Sequence, residues 1–197
     1  MATIREQIYE SKVRVTTSKR YLEDPNERGL EIELKDLDCW DDVEDLLEEY
    51  YGDDEEGELE VKILEVEGID DDRIYKEGSN EIDGSFFTTK DVFDEVGEDL
   101  HEAFEAYICD YHFNPWETDS HDASKFEDRY KGQYYGEEDF AEELMKACYA
   151  EEIEKVENIS PYFSFDLDAF TRDIFISDYT YIDNEVLGQP GFVFSNY

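Results

Sequence analysis

The sequence predicts a mixed α+β protein, built as an elongated chain of three small domains, on three observations. Two segments near the start alternate apolar and polar residues across turn chemistry, as half-buried strands do. From residue 88 the apolar period becomes helical. Alternation then returns in the last segments, "IFISDYTYI" and "GFVFSN". These changes put domain edges near 87 and 128. They give an N-terminal domain (1–87, antiparallel sheet with a helix), a central helical domain (88–128) and a C-terminal α+β domain (129–197).

Taken in order, "KVRVTT" (12–17) and "GLEIELK" (29–35) read as strands, with "DPNERG" as the turn between them. "DDVEDLLEEYYGDDEEGELE", residues 41–60, holds twelve acids and no base. A disordered acidic tract has no reason to space apolar residues regularly. Here Val43, Leu46, Leu47, Tyr50 and Tyr51 fall at i, i+3, i+4, i+7 and i+8, one stripe of a helix that Gly52 ends. "ELEVKILEVEG" (58–68) is the next strand, with Leu59, Val61 and Ile63 on one face. Residues 68–85 read as a polar connection with a short strand around Arg73–Tyr75. Thr88 or Thr89 is the expected N-cap of the central helix. Phe93, Val96, Leu100, Phe104, Tyr107 and Tyr111 form its stripe, and Gly97 marks a break into two helices. "ASKFEDRY" carries another short helix. In the last third a helix spans 137–150, with Phe140, Leu144 and Ala147 on one stripe. "ISPYFSFDLDAFTRDIF" is a loop entering a short helix capped by Asp166 or Asp168. The terminal strands close the chain across "NEVLGQPG".

The 197 residues include 57 Asp and Glu against 17 Lys and Arg, a formal net charge of −40. Residues 1–35 are neutral, with seven of each sign, so residues 36–197 carry the whole excess. Solubility needs a net charge of only about 2–8 on a small domain. Fifteen Tyr, 13 Phe and 2 Trp supply a core, which argues against wholesale disorder. No apolar run approaches a membrane span and no export leader is visible, so a cytoplasmic protein with no membrane partner is expected. Cys39, Cys109 and Cys148 are odd in number and widely spaced, which suits reduced thiols.

Motifs for chemistry are sparse. Glu60-Val61-Lys62 has nuclease-like spacing, but Glu10-Ser11-Lys12 and Glu33-Leu34-Lys35 share it, and a nuclease this acidic repels its substrate. The acidic runs lack the register of a calcium loop. Cys109 and His112 are one conceivable zinc pair without a second, and Cys109 also fits a core helix as a small apolar residue. There is no phosphate-cradling glycine loop and no nucleophile elbow. No catalytic residue and no cofactor is expected, so the protein reads as a non-enzyme.

The acidic faces are the dominant signal: Asp41, Asp42, Asp45, Glu48, Glu49, Asp53 and Asp54 around the first long helix, Glu95, Asp99 and Glu102 on the central helices, and Glu137, Glu138, Asp139, Glu142 and Glu143 on the C-terminal one. Duplex DNA carries one charge per ~1.7 Å, so a net −40 matches about 68 Å of duplex. A protein of that density competes for the Lys/Arg grooves that DNA-handling enzymes present to phosphates, and does not itself bind nucleic acid. Plain solvation, or adaptation to high salt, is the simpler explanation of the same composition.

"YKGQYYGEEDFAEELMKACYAEEIEKVENISPYFSFDLDAFTRDIFISDYTYIDN" with "GFVFSNY", and "TTKDVFDEVGEDLHEAFEAYI", resemble the C-terminal half and the middle helical segment of the ArdA antirestriction proteins. The N-terminal part is similar only in its strand-turn-strand-helix-strand layout, and lacks several small-residue and Trp positions of the family. The resemblance covers the chain from about residue 88 onward, and its motifs are patterns of aromatics and acids rather than an active site. It implies an elongated, curved dimer of three-domain chains that mimics bent B-form DNA. Such a dimer occupies the DNA-binding groove of type I restriction-modification enzymes, chiefly the specificity and modification subunits, inside the bacterial host of a phage or conjugative element. The region matching Tyr134–Leu144 lies at the family's dimer contact, so the resemblance assigns Tyr134, Tyr135 and Phe140 to a homodimer interface. An inhibitor of another DNA-binding defence system, such as a CRISPR effector, has the same charge signature. An acidic chaperone of basic proteins more often holds its charge in a tail.

Overall fold

The computed structural model describes residues 2–52, 60–159, 164–184 and 186–197. Among them the chain is mixed α+β, with eight helices and two three-stranded antiparallel sheets. It forms two compact units, residues 1–123 and 124–197, described in turn.

In the first unit, helix α1 (Ile4–Glu10) opens with a capping box, in which Thr3 and Glu6 satisfy each other's backbone N–H groups. Strand β1 (Lys12–Thr17) is the centre of a sheet in the order β2-β1-β3, with β2 (Leu30–Glu33) and β3 (Val61–Glu67) on its edges. Its Val13 and Val15 are buried with Ile32, Val61 and Ile63, as the alternation requires. The opposite face is a ladder of opposite charges. Lys12 stands across from Glu33 and Glu67, and Arg14 across from Glu31 and Glu65, with Arg14 and Glu65 at 2.8 Å. Two bases of the neutral N-terminal segment, Lys12 and Arg14, are therefore paired within the sheet. Helix α2 (Ser18–Glu23) precedes "DPNERG", which turns at Pro25–Asn26 as the sequence suggested.

Helix α3 (Asp42–Tyr51) follows, with Val43 and Leu47 fully buried and Tyr50 exposed. The Gly52 N–H closes its last turn on the Glu48 carbonyl at φ 78°, a conformation that glycine adopts without a Cβ clash. The predicted strand at 58–68 is β3; its Leu59 lies outside the described residues.

Arg73–Tyr75 is a turn rather than the expected short strand. Asp71 organises it, accepting the Arg73 backbone N–H at 3.0 Å and the Arg73 guanidinium at 2.6 Å. Asp71 also accepts the indole N–H of buried Trp116 at 3.1 Å. These bonds, led by those from the Arg73 side chain, hold the Asp71 carboxyl well below the usual carboxylate range, at about 2. A depressed folded-state value gives stability that is present above the unfolded value near 4 and lost as pH falls towards 2. Asp71→Asn is expected to lower the melting temperature by several degrees at pH 7, and the gap to wild type should close between about pH 4 and pH 2. A gap independent of pH, followed by calorimetry, would assign the loss to packing instead.

Helix α4 (Gly84–Glu95) starts a full turn before the expected Thr88 or Thr89, because Asp83 caps it by accepting the Ser85 N–H. The threonines serve inside the helix: Thr88 bonds back to the Gly84 carbonyl, and Thr89 reaches the Trp116 carbonyl. The break expected at Gly97 is present, and a buried histidine secures it. His101 Nε2 lies 2.9 Å from both the Phe93 and Val96 carbonyls at the end of α4, where Phe93 also accepts the Val96 N–H. Its ring stacks on Tyr9 at 5.5 Å. Helix α5 (His101–Tyr111) continues the apolar stripe, with Phe104 and Tyr107 buried. Cys109 on α5 is exposed, not the core residue that its spacing suggested. Helix α6 (Ser120–Arg129) contains the division between the units.

The second unit has a sheet in the order β4-β6-β5, from β4 (Tyr130–Tyr134), β5 (Tyr179–Ile182) and β6 (Gly191–Ser195). Helices α7 (Glu137–Ile159) and α8 (Leu167–Ser177, capped by Asp166) join Phe140, Ala141, Ile174 and Val193 in its core. The terminal strand expected over 174–182 is shorter, because α8 takes its first residues. Gly191 is required where β6 meets β5: a Cβ there would lie 2.5 Å from the Ile182 carbonyl oxygen and 2.6 Å from the Tyr181 ring.

Candidate functional site: the acidic helix faces

Burial of Val43 and Leu47 fixes which way α3 turns, and its carboxylates take the remaining circumference. Asp41, Asp45, Glu48 and Glu49 are exposed, and no described Lys or Arg pairs with them. Asp42 differs. Its carboxylate accepts the backbone N–H groups of Asp38 (2.9 Å) and Cys39 (3.1 Å), bonds that hold it below the usual carboxylate range. Its role is to close the loop before α3, so its charge is partly spent on the chain itself. Asp53 and Asp54 lie outside the described residues.

On α4, α5 and their connection, Glu95, Asp99 and Glu102 are all exposed, with Glu102 3.9 Å from Arg5. On α7, Glu137 and Glu138 are exposed at the first turn, where the helix dipole favours anions. Asp139 accepts the Tyr135 N–H, Glu142 pairs with Lys146 at 2.6 Å, and Glu143 lies 3.4 Å from the Tyr134 hydroxyl. The helix runs to Ile159, nine residues past the expected end, and so adds Glu151, Glu152 and Glu154 to the exposed acids. The signal for them was present: no glycine or proline interrupts the run before Pro161.

At 1.5 Å per residue, the ten residues of α3 carry five acids over about 15 Å, or one charge per ~3 Å. The 23 residues of α7 carry nine acids and two bases over about 35 Å, or one net charge per ~5 Å. Duplex DNA has one per ~1.7 Å. Each helix alone reaches about a third to three-fifths of that density, so a duplex-like field requires several acidic faces acting together.

The aromatics assigned to a dimer contact separate by burial. Phe140 is 5% exposed, its ring packed edge-on to Tyr134 (5.0 Å) and Tyr179 (4.7 Å) in the core of its own unit. Tyr134 is half-buried; burial and the nearby Glu143 push its phenol up. Tyr135 is 76% exposed, the most accessible of the three.

An open cleft of about 410 Å³ lies between α7 and α8, lined by Glu137, Glu138, Asp168, Arg172, Phe175 and Ile176. Arg172 is paired with Asp173 at 3.2 Å, and Thr171 completes a lining that mixes three carboxylates with the apolar Phe175 and Ile176. Among the described residues no group of His, Cys, Asp or Glu is arranged to hold a metal ion, and no helix is long and apolar enough to cross a membrane. Comparison with family models, with curated proteins and with solved structures gives no match.

Like charges four apart on these helices, such as Asp41 with Asp45 and Glu138 with Glu142, each cost about 0.2–0.5 kcal/mol. Salt screens them over a Debye length of ~8–10 Å near physiological strength. The melting temperature is expected to rise by about 5 °C between low and high NaCl, as measured by circular dichroism. A flat or falling value would mean that bound ions already compensate the acids.

Proposed function

We propose that this protein is an antirestriction protein that imitates B-form DNA and blocks type I restriction-modification enzymes by occupying their DNA-binding groove. The observation that carries the reading is the set of exposed carboxylates on ordered helices that no described Lys or Arg neutralises, Asp41, Asp45, Glu48 and Glu49 foremost. Carboxylates held on a folded scaffold act as a fixed array that a cationic groove can grip without first ordering it, unlike those of an acidic tail. The cross-strand pairs of Lys12 and Arg14 nearly balance the first sheet, so most of the excess negative charge lies on the rest of the chain.

In this reading the chain acts in the cytoplasm of a bacterial host. It is dimerised through its C-terminal unit with Tyr135 at the contact and Phe140 shaping that corner from within. Its partners are the specificity and modification subunits, and nucleic acid itself is repelled.

Competition against a type I methyltransferase core tests the reading. Near-stoichiometric protein is expected to displace duplex DNA and stop its methylation, leaving DNA and enzyme chemically unchanged. Affinity should fall steeply with salt, since several basic side chains are engaged together. Full methylation in the presence of excess protein at low salt would exclude this target.

A further inference from the structure

The loop after α5 presents one aromatic ring to solvent and fixes the backbone on both sides of it. Phe113 is 105% exposed. Before it, His112 Nε2 lies 3.1 Å from a carboxylate oxygen of Asp122, which is itself buried and accepts the Asp119 N–H. After it, Asn114 accepts the Trp116 N–H and donates to Glu117 at 3.1 Å. Trp116 is 2% exposed, stacked on Phe86 and bonded to Asp71. Phe113 thus sits between two pinned neighbours, and little loop entropy remains to be lost when its ring is captured. Rigid, protruding aromatics are the residue type that dominates interface energies.

The surroundings define the occupant. Asp110, Glu117 and Asp119 are exposed within six residues of Phe113, and Tyr111 is exposed beside them. An exposed apolar ring in an acidic stretch of chain complements an apolar or aromatic pocket rimmed by Lys and Arg. Enzymes that act on a base in duplex DNA hold such a pocket within their cationic groove, where the unstacked base is received. Resting on the DNA-mimic reading, we infer that Phe113 is an apolar anchor that enters the nucleobase pocket of the target, while the carboxylates engage its phosphate-binding residues.

The test is the binding of wild type, Phe113→Ala and Phe113→Tyr to a type I methyltransferase core across a salt series. Phe113→Ala is expected to melt as wild type does, since the ring is exposed, and to bind at least about tenfold more weakly at every salt concentration. Its slope of log affinity against log salt should parallel wild type, because every phosphate-like carboxylate is retained. Phe113→Tyr should stay within about threefold of wild type, since a stackable ring remains. Equal affinity of Phe113→Ala and wild type, or a changed salt slope, overturns the anchor alone. A fall in mass of Phe113→Ala by light scattering without target would instead make the ring a contact between copies. Wild type that fails to bind the core overturns the mimic reading, and the anchor with it.

Discussion

Phe140→Asp is expected to unfold the unit formed by residues 124–197, while Tyr135→Asp leaves it folded. Phe140 is 5% exposed against Tyr134, Phe175 and Tyr179. Truncating a buried Phe costs about 3–5 kcal/mol, and placing a carboxylate in that space adds several more. A unit of 74 residues has about 4–11 kcal/mol of stability at typical values per residue. The substitution therefore consumes most of what is available. Its signature is loss of dispersion for residues 124–197 in an amide NMR spectrum, and loss of near-ultraviolet dichroism from the tyrosines. Tyr135 is 76% exposed, and such surface changes usually stay within about 0.5 kcal/mol. Light scattering on Tyr135→Asp therefore tests the proposed dimer contact without confusing it with unfolding. A dispersed, folded Phe140→Asp would mean that the ring does not occupy this core.

The same residue shows where the sequence was legible and where it was not. Periodicity marked Phe140 as the apolar side of a helix, and it is. Periodicity does not say whether that side meets the chain's own core or a second copy, since both are apolar contacts. Strand β4 was not legible for a related reason. "YKGQY" places Gly132 at φ 121° beside a register shift, and alternation is weak where the strand bends. Its pairing with β6 joins residues some sixty apart in the chain, which no local pattern reports. The α3 face was legible because one short stripe fixed every other position on the helix. Asp42 stands on the same helix as Asp45, yet only the placement of the preceding loop reveals that its carboxylate is engaged by backbone N–H groups.

That distinction sets the expected outcome of charge reversal. Asp41, Asp45, Glu48 and Glu49 are exposed and share the load of α3. Under the proposed function, substituting any one by Lys is expected to weaken inhibition of a methyltransferase core by only a few-fold, since exposed ion pairs contribute about 0.2–1 kcal/mol each. Substituting all four should weaken it by about two orders of magnitude. The slope of log affinity against log salt should flatten by about one for each basic side chain of the target that is no longer engaged. Asp42→Lys should behave differently. It removes the acceptor for the Asp38 and Cys39 N–H groups, so it should lower the melting temperature as well as affinity. Glu137 and Glu138 on α7 form a second set, in the other compact unit. Because they share no element with α3, their effects should add to it. The graded response is what separates a distributed mimic from a site at which one residue is decisive. One Asp or Glu substitution that abolished inhibition while melting temperature and mass stayed at wild-type values would sink the distributed mechanism and locate the function at that side chain.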